Sequence, residues 1–270
     1  QKVKAALEEG PLFATEFERG DETKRDGTID NTVIAHEWGH YMHHRLVLCG
    51  SLSCSGMSEG WGDFNALMLV IRDGDTFDGE SYALSQYVGA GLSRAAAYYG
   101  IRRAPYSREL TKNPFTFTHV RQSAELPETA PLQPSASDMS EAHNVGEIWA
   151  QTLFEAYTNL IEAGRAAGQP FDQIKRRMAD YVVAGMKAAP IEPTFVEQRD
   201  AILSSVRAIA NGDASRTEDF MALARGFAKR GLGSGAIAPP ITSETLDEAV
   251  ESFEVKGNLL NGEDVHMRGF

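Results

Sequence analysis

The second half of the chain repeats apolar residues at the spacing of an α-helix. Between His143 and Ala163 they recur every three or four positions, and they are Val145, Ile148, Trp149, Leu153, Tyr157 and Leu160. The segment from Phe171 to Ala189 shows the same pattern. This spacing gathers the apolar side chains on one helical face, which can pack on a core. The pattern therefore predicts a mainly α-helical fold.

Capping motifs predict two further helices. Thr194-Phe-Val-Glu197 and Ser215-Arg-Thr-Glu218 both match the capping box, whose two side chains satisfy free backbone N–H groups at a helix start. The first predicts a helix to about residue 210, and the second predicts a helix that stops at residue 231.

The first half contains two helical segments joined by a short loop. The first should cover residues 33–48, with Asp30 or Asn31 as its N-cap. The second is predicted over residues 59–71, with Ser58 as its N-cap.

Gly60 and Gly62 interrupt the second of these helices. Each costs about 1 kcal/mol relative to alanine in a helix interior. We interpret them as positions where two backbones approach each other closely.

The middle and the end of the chain are less regular. Residues 81–99 are ambiguous, and residues 100–137 form a Pro-rich excursion with one strand-like alternation at 115–118. We predict a helical domain over residues 1–235. Residues 236–270 then form a linker followed by a tail or the start of a further module, with a strand-like run at 248–255.

The composition and net charge limit the kinds of molecule that the protein is expected to bind. The chain has 270 residues, is 42% hydrophobic and carries a net charge of −12. Nucleic-acid binding needs a basic surface, so nucleic acid is not expected. No apolar run is long enough to span a membrane. The chain begins at Gln1 rather than Met, so we expect a fragment or a processed piece, whose lack of a signal peptide says nothing about location.

His36, Glu37 and His40 form an H-E-x-x-H motif within the first predicted helix. Residues four apart lie on one helical face, so the two imidazoles can bind one metal ion. Glu37 lies beside that face, where it can take a proton from a metal-bound water. The motif is typical of zinc metalloproteases.

A catalytic zinc needs a third protein ligand and one open position. The metzincin pattern would require glycine at position 43 and histidine at position 46, but the chain has His43 and Leu46. Glu59 follows His40 by 19 residues, enough for a loop and a helix start. Asp63 lies one turn further on, where it can hydrogen-bond a ligating histidine, for which we favour His36.

The remaining histidines and the cysteines leave alternatives open. His36, His40 and His44 lie on one stripe, but the outer pair is roughly 12 Å apart at ~1.5 Å rise per residue. We therefore interpret His43 and His44 as structural or solvated. Cys49 and Cys54 are five residues apart. They form either a disulfide, which fits an oxidising compartment, or two free thiols.

Taken together, HEWGHYMHHRL and GMSEGWGDF resemble the fungalysin family of secreted zinc endopeptidases, which are thermolysin-like gluzincins. Further similar segments begin at Gly100, His143 and Gly226, and the resemblance covers roughly residues 25–235. It implies one zinc ion held by His36, His40 and Glu59, and a secreted protein. The implied partners are protein or peptide substrates and the protein's own propeptide. Calcium is not indicated.

The resemblance also implies roles for residues outside the two motifs. A histidine of the C-terminal lobe donates to the oxyanion, and His143 matches it. An acidic residue should hold its ring; Asp138 is preferred over Glu141. An arginine grips a substrate carbonyl, for which Arg103 is preferred over its neighbour Arg102.

Tyr106 is a weaker candidate oxyanion donor, and an ordinary packed tyrosine is the simpler interpretation.

Gluzincins place a β-rich lobe before the zinc helix, and here only about 30 residues precede that helix. The resemblance therefore implies the helical C-terminal lobe, with the N-terminal lobe missing from this chain. The expected function is zinc-dependent endopeptidase, with Glu37 as general base. One alternative is a catalytically incomplete zinc-binding lobe that binds or scaffolds. A second alternative is a di-iron carboxylate protein, which needs two E-x-x-H motifs. Glu37 and His40 form one, but Glu263 and His266 form the other in a segment without a helical pattern.

Overall fold

The structure is a computed structural model that describes residues 23–133 and 139–256. Within these ranges the chain forms eight α-helices and no sheet, which confirms the predicted mainly α fold. The helices are α1 (Asn31–Leu46), α2 (Leu52–Val70), α3 (Gln86–Gly89), α4 (Ala96–Tyr99), α5 (Ala142–Ala166), α6 (Phe171–Ala188), α7 (Phe195–Ala210) and α8 (Asp219–Lys229). Short 3-10 helices cover Gly27–Ile29, Phe117–Val120 and Ala214–Arg216. None of the described helices is long and apolar enough to cross a membrane.

Helix α5 lies at the centre of the lobe. It packs against α2 on one side and α8 on another, and α1 packs on the far side of α2. Its predicted apolar face is buried, and Trp149 meets Trp61 of α2 edge-to-face, with ring centroids 5.4 Å apart. The α2–α5 contact thus forms the core that supports α1.

Helix α1 begins as the sequence predicts. The side chain of Asp30, one of the two candidate N-caps, accepts a hydrogen bond from the Thr32 N–H. The helix ends at Leu46 because Val47 adopts an extended conformation, so the predicted end at residue 48 is two residues late.

Helix α2 begins seven residues earlier than predicted. Ser51 is its N-cap and accepts a hydrogen bond from the Cys54 N–H, so Ser58 lies inside the helix and the predicted cap is wrong. Cys49 and Cys54 form a disulfide that spans the turn between α1 and α2. Of the two alternatives for the cysteines, the structure therefore contains the disulfide.

The predicted close approach of backbones at the α2 glycines is confirmed. A Cβ on Gly60 would lie 2.6 Å from the Gly146 carbonyl oxygen of α5. A Cβ on Gly39 of α1 would lie 2.6 Å from the Gly62 Cα. Cβ atoms do not approach other atoms this closely, so glycine lets the helices pack backbone to backbone.

The two capping-box predictions have different outcomes. Thr194 and Glu197 form the box that opens α7, as predicted. The second box is wrong, because Ser215 lies in a 3-10 helix whose cap is Asp213, and α8 begins only at Asp219. In the predicted box the Glu218 side chain would accept the hydrogen bond from the Ser215 N–H. The Asp213 carboxylate, which is closer along the chain, accepts it instead.

The strand-like runs do not become strands within the described part of the chain. Residues 117–120 form a 3-10 helix, and residues 237 and 250 form only an isolated antiparallel bridge. The segment after residue 236 lies against the helical lobe, where Leu246 and Ala249 are buried. The domain boundary at residue 235 stays a prediction.

Candidate metal centre

Helices α1 and α2 bring three potential metal ligands together. His36 and His40 lie one turn apart on α1, and their Nε2 atoms are 2.9 Å from each other. Glu59 of α2 faces them, with Oε2 at 3.2 Å from the His36 Nε2 and 3.5 Å from the His40 Nε2. This is the set of residues that the H-E-x-x-H motif and the following glutamate predict.

The geometry of the three side chains fits a metal ion. Tetrahedral zinc with bonds of ~2.0–2.1 Å needs ligand atoms roughly 3.3 Å apart. The two distances to Glu59 bracket that value, and the 2.9 Å between the two Nε2 atoms is somewhat shorter than it. The Glu59 Oε2 is also buried and makes no hydrogen bond of regular geometry among the described residues, although three imidazole nitrogens lie within 3.5 Å of it. A cation between the ligand atoms would compensate the buried carboxylate directly.

A buried carboxylate orients His36. Its Nδ1 lies 2.8 Å from the Asp63 Oδ1, the contact that the sequence spacing predicts. Because an ionised carboxylate only accepts, the Nδ1–H donates, and the Nε2 atom faces Glu59. Arg102 in turn donates two hydrogen bonds of 2.7 Å to Asp63, and the Tyr106 hydroxyl donates a third.

These contacts determine the protonation states of Asp63 and His36. Burial works to raise the pKa of Asp63, but the charge and hydrogen bonds of Arg102, together with the contact with His36, outweigh it and hold that pKa well below its ordinary range. Burial also works to lower the pKa of His36, but the contacts with Asp63 and Glu59 outweigh it and raise the pKa to about 9. Metal-free His36 is therefore protonated at neutral pH, and a cation that binds its Nε2 displaces that proton.

A hydroxyl group orients His40 instead. The His40 Nδ1 lies 2.8 Å from the Ser58 Oγ, which is also 3.0 Å from the Nε2 of His44. Sequence reasoning missed this role because it placed Ser58 at a helix start. The signal that could have found it is that each metal-binding histidine needs a partner for its second ring nitrogen.

Two further predicted site residues have exposed side chains. Glu37 is exposed on α1, next to His36. His143, in the first turn of α5, is 55% exposed and places its Nε2 3.5 Å from the Glu59 Oε2. Its Nδ1 lies 2.6 Å from the Glu141 Oε1, while Asp138, the residue preferred from the sequence, lies outside the described residues.

Arg103 and Tyr106, in contrast, are buried. Arg103 is 3% exposed and donates to the Glu147 carboxylate at 2.9 Å and to the Asn144 carbonyl at 2.6 Å. Tyr106 is buried beneath Asp63. Both side chains thus hold other residues in place here.

The other two histidines of α1 differ from each other. His44 is exposed and contacts Ser58, whereas His43 is completely buried. Neither ring nitrogen of His43 has a hydrogen-bond partner within residues 23–133 and 139–256. From the sequence we interpret both residues as structural or solvated. In the structure His43 is buried and His44 is exposed to solvent.

Comparison with known proteins gives a consistent family. The sequence profile of the fungalysin metallopeptidase (M36) family matches residues 15–236. Extracellular metalloproteinase 2 of Arthroderma gypseum is 33% identical over 228 residues, which is 78% of this chain and 31% of that protein. Extracellular metalloproteinase mep of Aspergillus niger is 34% identical over 228 residues, which is 78% of this chain and 32% of that protein.

The chain thus spans about a third of the length of the relatives it matches. The family profile covers most of this chain, including the residues that form the metal centre. The chain belongs to the fungalysin metallopeptidase (M36) family.

Proposed function

We propose that the chain carries the catalytic centre of a zinc-dependent endopeptidase that hydrolyses internal peptide bonds of proteins. The observation that carries this proposal is the group of His36, His40 and Glu59, whose ligand atoms converge at zinc-binding distances. Three protein ligands with one accessible side are typical of catalytic rather than structural zinc. A bound zinc ion would polarise the scissile carbonyl and lower the pKa of a water molecule.

The chain's own residues would move the proton. Glu37 follows the first ligand directly and is exposed, so it can accept a proton from the attacking water and pass it to the leaving nitrogen. Glu37 is therefore the proposed general base, and then the general acid.

His143 is the proposed oxyanion donor. Its Nε2 approaches the Glu59 Oε2 from the first turn of α5, and its Nδ1 contacts Glu141. Donation from Nε2 while Nδ1 donates to a carboxylate requires a proton on both ring nitrogens. A positioned donor of this kind contributes about 3–4 kcal/mol to a barrier. Arg103 would act through Glu147 and Asn144 to hold the start of α5.

Secretion is part of this proposal. The relatives are named extracellular metalloproteinases, and the Cys49–Cys54 disulfide fits an oxidising compartment. Protein or peptide substrates and a propeptide of the same protein are the proposed partners.

Replacement of Glu37 by glutamine tests the proposal. We expect Glu37→Gln to keep one zinc per chain and to lose casein hydrolysis by about 10²–10⁴-fold, because the amide cannot take the proton. Glu128→Gln, at another exposed glutamate, is the matched control and should keep full activity. Hydrolysis by Glu37→Gln at the wild-type rate would contradict the assignment.

The alternative is a zinc-binding lobe that binds or scaffolds without hydrolysing peptides. The chain spans about a third of the length of the relatives it matches, so hydrolysis by this chain is the property to measure. Wild-type chain that binds zinc through Glu59 and yet leaves casein intact would support this alternative.

A further inference from the structure

His43 is a buried base without a partner. Its side chain is 0% exposed, and both ring nitrogens lack a hydrogen-bond partner among the described residues. A buried polar atom left unpaired costs about 1–3 kcal/mol, so native structures almost always supply a partner. The proposed protease reaction does not use this residue.

Two sulfur atoms lie beside this imidazole. One ring nitrogen of His43 and the Sγ atoms of Cys49 and Cys54 all lie within 4.8 Å of one another. In the disulfide the sulfurs bind each other and are not available as thiolate ligands. The Cα atoms of the two cysteines are 5.5 Å apart. Thiolates on one zinc ion, with bonds of ~2.3 Å, need sulfurs roughly 3.8 Å apart, a distance that side-chain rotation can reach from these positions.

We propose that reduction of the Cys49–Cys54 disulfide creates a second metal site, in which His43, Cys49 and Cys54 bind a soft cation such as zinc. Thiolate and imidazole ligands favour soft cations over magnesium or calcium. The site shares no residue with the group of His36, His40 and Glu59. It would give one ring nitrogen of His43 the partner that it lacks among the described residues in the disulfide form.

The chemistry balances with a phosphine reductant. The phosphine gives two electrons to the S–S bond and becomes a phosphine oxide with oxygen from water, leaving two cysteine thiols. Each thiol loses its proton when its sulfur binds the cation. The imidazole needs no deprotonation, because burial, together with nearby His44 and His40, lowers the pKa of His43 to about 3.

The test counts zinc with and without reduction. Metal-stripped chain is treated with a water-soluble phosphine or left oxidised, then loaded with zinc, freed of unbound metal and measured by elemental analysis. We expect one more zinc per chain in the reduced sample. Cobalt loaded in place of zinc should show thiolate-to-cobalt absorption in the near ultraviolet only after reduction. Equal zinc content in both samples would overturn the proposal.

Variants separate the imidazole from the thiols. His43→Leu should weaken binding of the additional zinc at least 100-fold, and Cys49→Ser should abolish the cobalt band. Without reductant, each variant should bind as much zinc as the oxidised wild type. If His43→Leu binds the additional zinc as tightly as wild type, two thiols suffice and the proposed site is wrong.

Circular dichroism verifies that each variant folds. Should His43→Leu not fold, His43→Gln keeps a polar side chain at the same place and is subject to the same criterion. The proposed second site is tested only by the additional zinc that the chain binds after reduction. The proposed catalytic site is tested by the zinc in the oxidised sample, so the two proposals can fail independently.

Discussion

At the scale of single residues, the two imidazoles of the metal centre are oriented by different chemistry. A carboxylate that two arginine hydrogen bonds hold in place receives the His36 Nδ1–H. A serine hydroxyl, which can donate or accept, contacts the His40 Nδ1. The carboxylate fixes the tautomer of His36, whereas the tautomer of His40 depends on how the Ser58 hydroxyl is shared with His44.

We predict that Ser58→Ala weakens zinc binding roughly 10- to 100-fold, as loss of a ligand's hydrogen-bond partner commonly does. Without the hydroxyl, His40 loses its contact at Nδ1 and its ring is free to rotate. Competition with a fluorescent zinc chelator measures the affinity. Ser55→Ala, one turn earlier on α2, is the matched control. Equal affinities for the two variants would show that Ser58 does not position His40.

His43 predicts how stability depends on pH. Its pKa is about 3 in the folded chain against an ordinary value of 6.5, so below pH 6.5 only the unfolded chain binds this proton. The contribution of neutral His43 to the free energy of unfolding is fully present above pH 6.5. It decreases by about 1.4 kcal/mol per pH unit as the pH falls from 6.5 to 3.

The measurement is urea unfolding of oxidised, metal-free wild type and His43→Leu at pH 7 and pH 5. Wild type should lose roughly 2 kcal/mol more than the variant over this interval. Parallel losses would mean that His43 is protonated, or has a partner, in the folded chain.

At the scale of elements, the metal centre depends on how closely α1 and α2 approach. Gly39 contacts backbone atoms of α2, and Gly62 lies against the His36 ring. Side chains at either position would separate the helix that carries the histidines from the helix that carries Glu59. These glycines therefore determine the distance between α1 and α2, rather than the intrinsic stability of either helix.

We therefore predict that Gly39→Ala lowers the free energy of unfolding by about 1–3 kcal/mol, although alanine is the better helix former. Its Cβ would lie 2.6 Å from the Gly62 Cα, and backbone cannot rotate away. Zinc affinity should fall at the same time, because Glu59 moves with α2. Gly27→Ala is the control, since its nearest neighbour is 3.6 Å away. A Gly39→Ala variant as stable as wild type would contradict the argument.

At the scale of the whole molecule, the segment after residue 236 is attached to the lobe by contacts distant in sequence. Leu246 is fully buried, and Ala249 joins the same core. The Gln122 N–H donates to the Thr245 carbonyl at 2.9 Å, and the Thr116 hydroxyl donates to Glu251 at 2.7 Å. These contacts tie the segment to the irregular region before α5.

We predict that a chain ending after Gly235 is about 2–5 kcal/mol less stable than one ending after Lys256, the magnitude expected when a large buried apolar side chain is lost. Urea unfolding of the two chains measures the difference. Leu246→Ala in the longer chain should reproduce most of the loss, whereas Ile237→Ala, at a 58% exposed position, should have little effect. Equal stability of the two chains would support the domain boundary predicted at residue 235.

The sequence by itself determined the features that depend on neighbours within about one helical turn. The apolar faces of α5 and α6, the Thr194–Glu197 capping box and the pairing of His36 with His40 all follow from helical periodicity. The spacing of Glu59 and Asp63 and the packing at Gly60 also follow from it, once two facing helices are assumed.

Only the tertiary structure decided the features that join distant residues. It selected Glu141 as the observed partner of His143, placed Arg103 in a buried ion pair and turned the strand-like runs into a 3-10 helix and isolated bridges. It also moved the start of α2 to Leu52, which put Ser58 beside His40. The physical reason is that local spacing specifies which face a side chain occupies, whereas burial and competing donors across the fold specify which partner it meets.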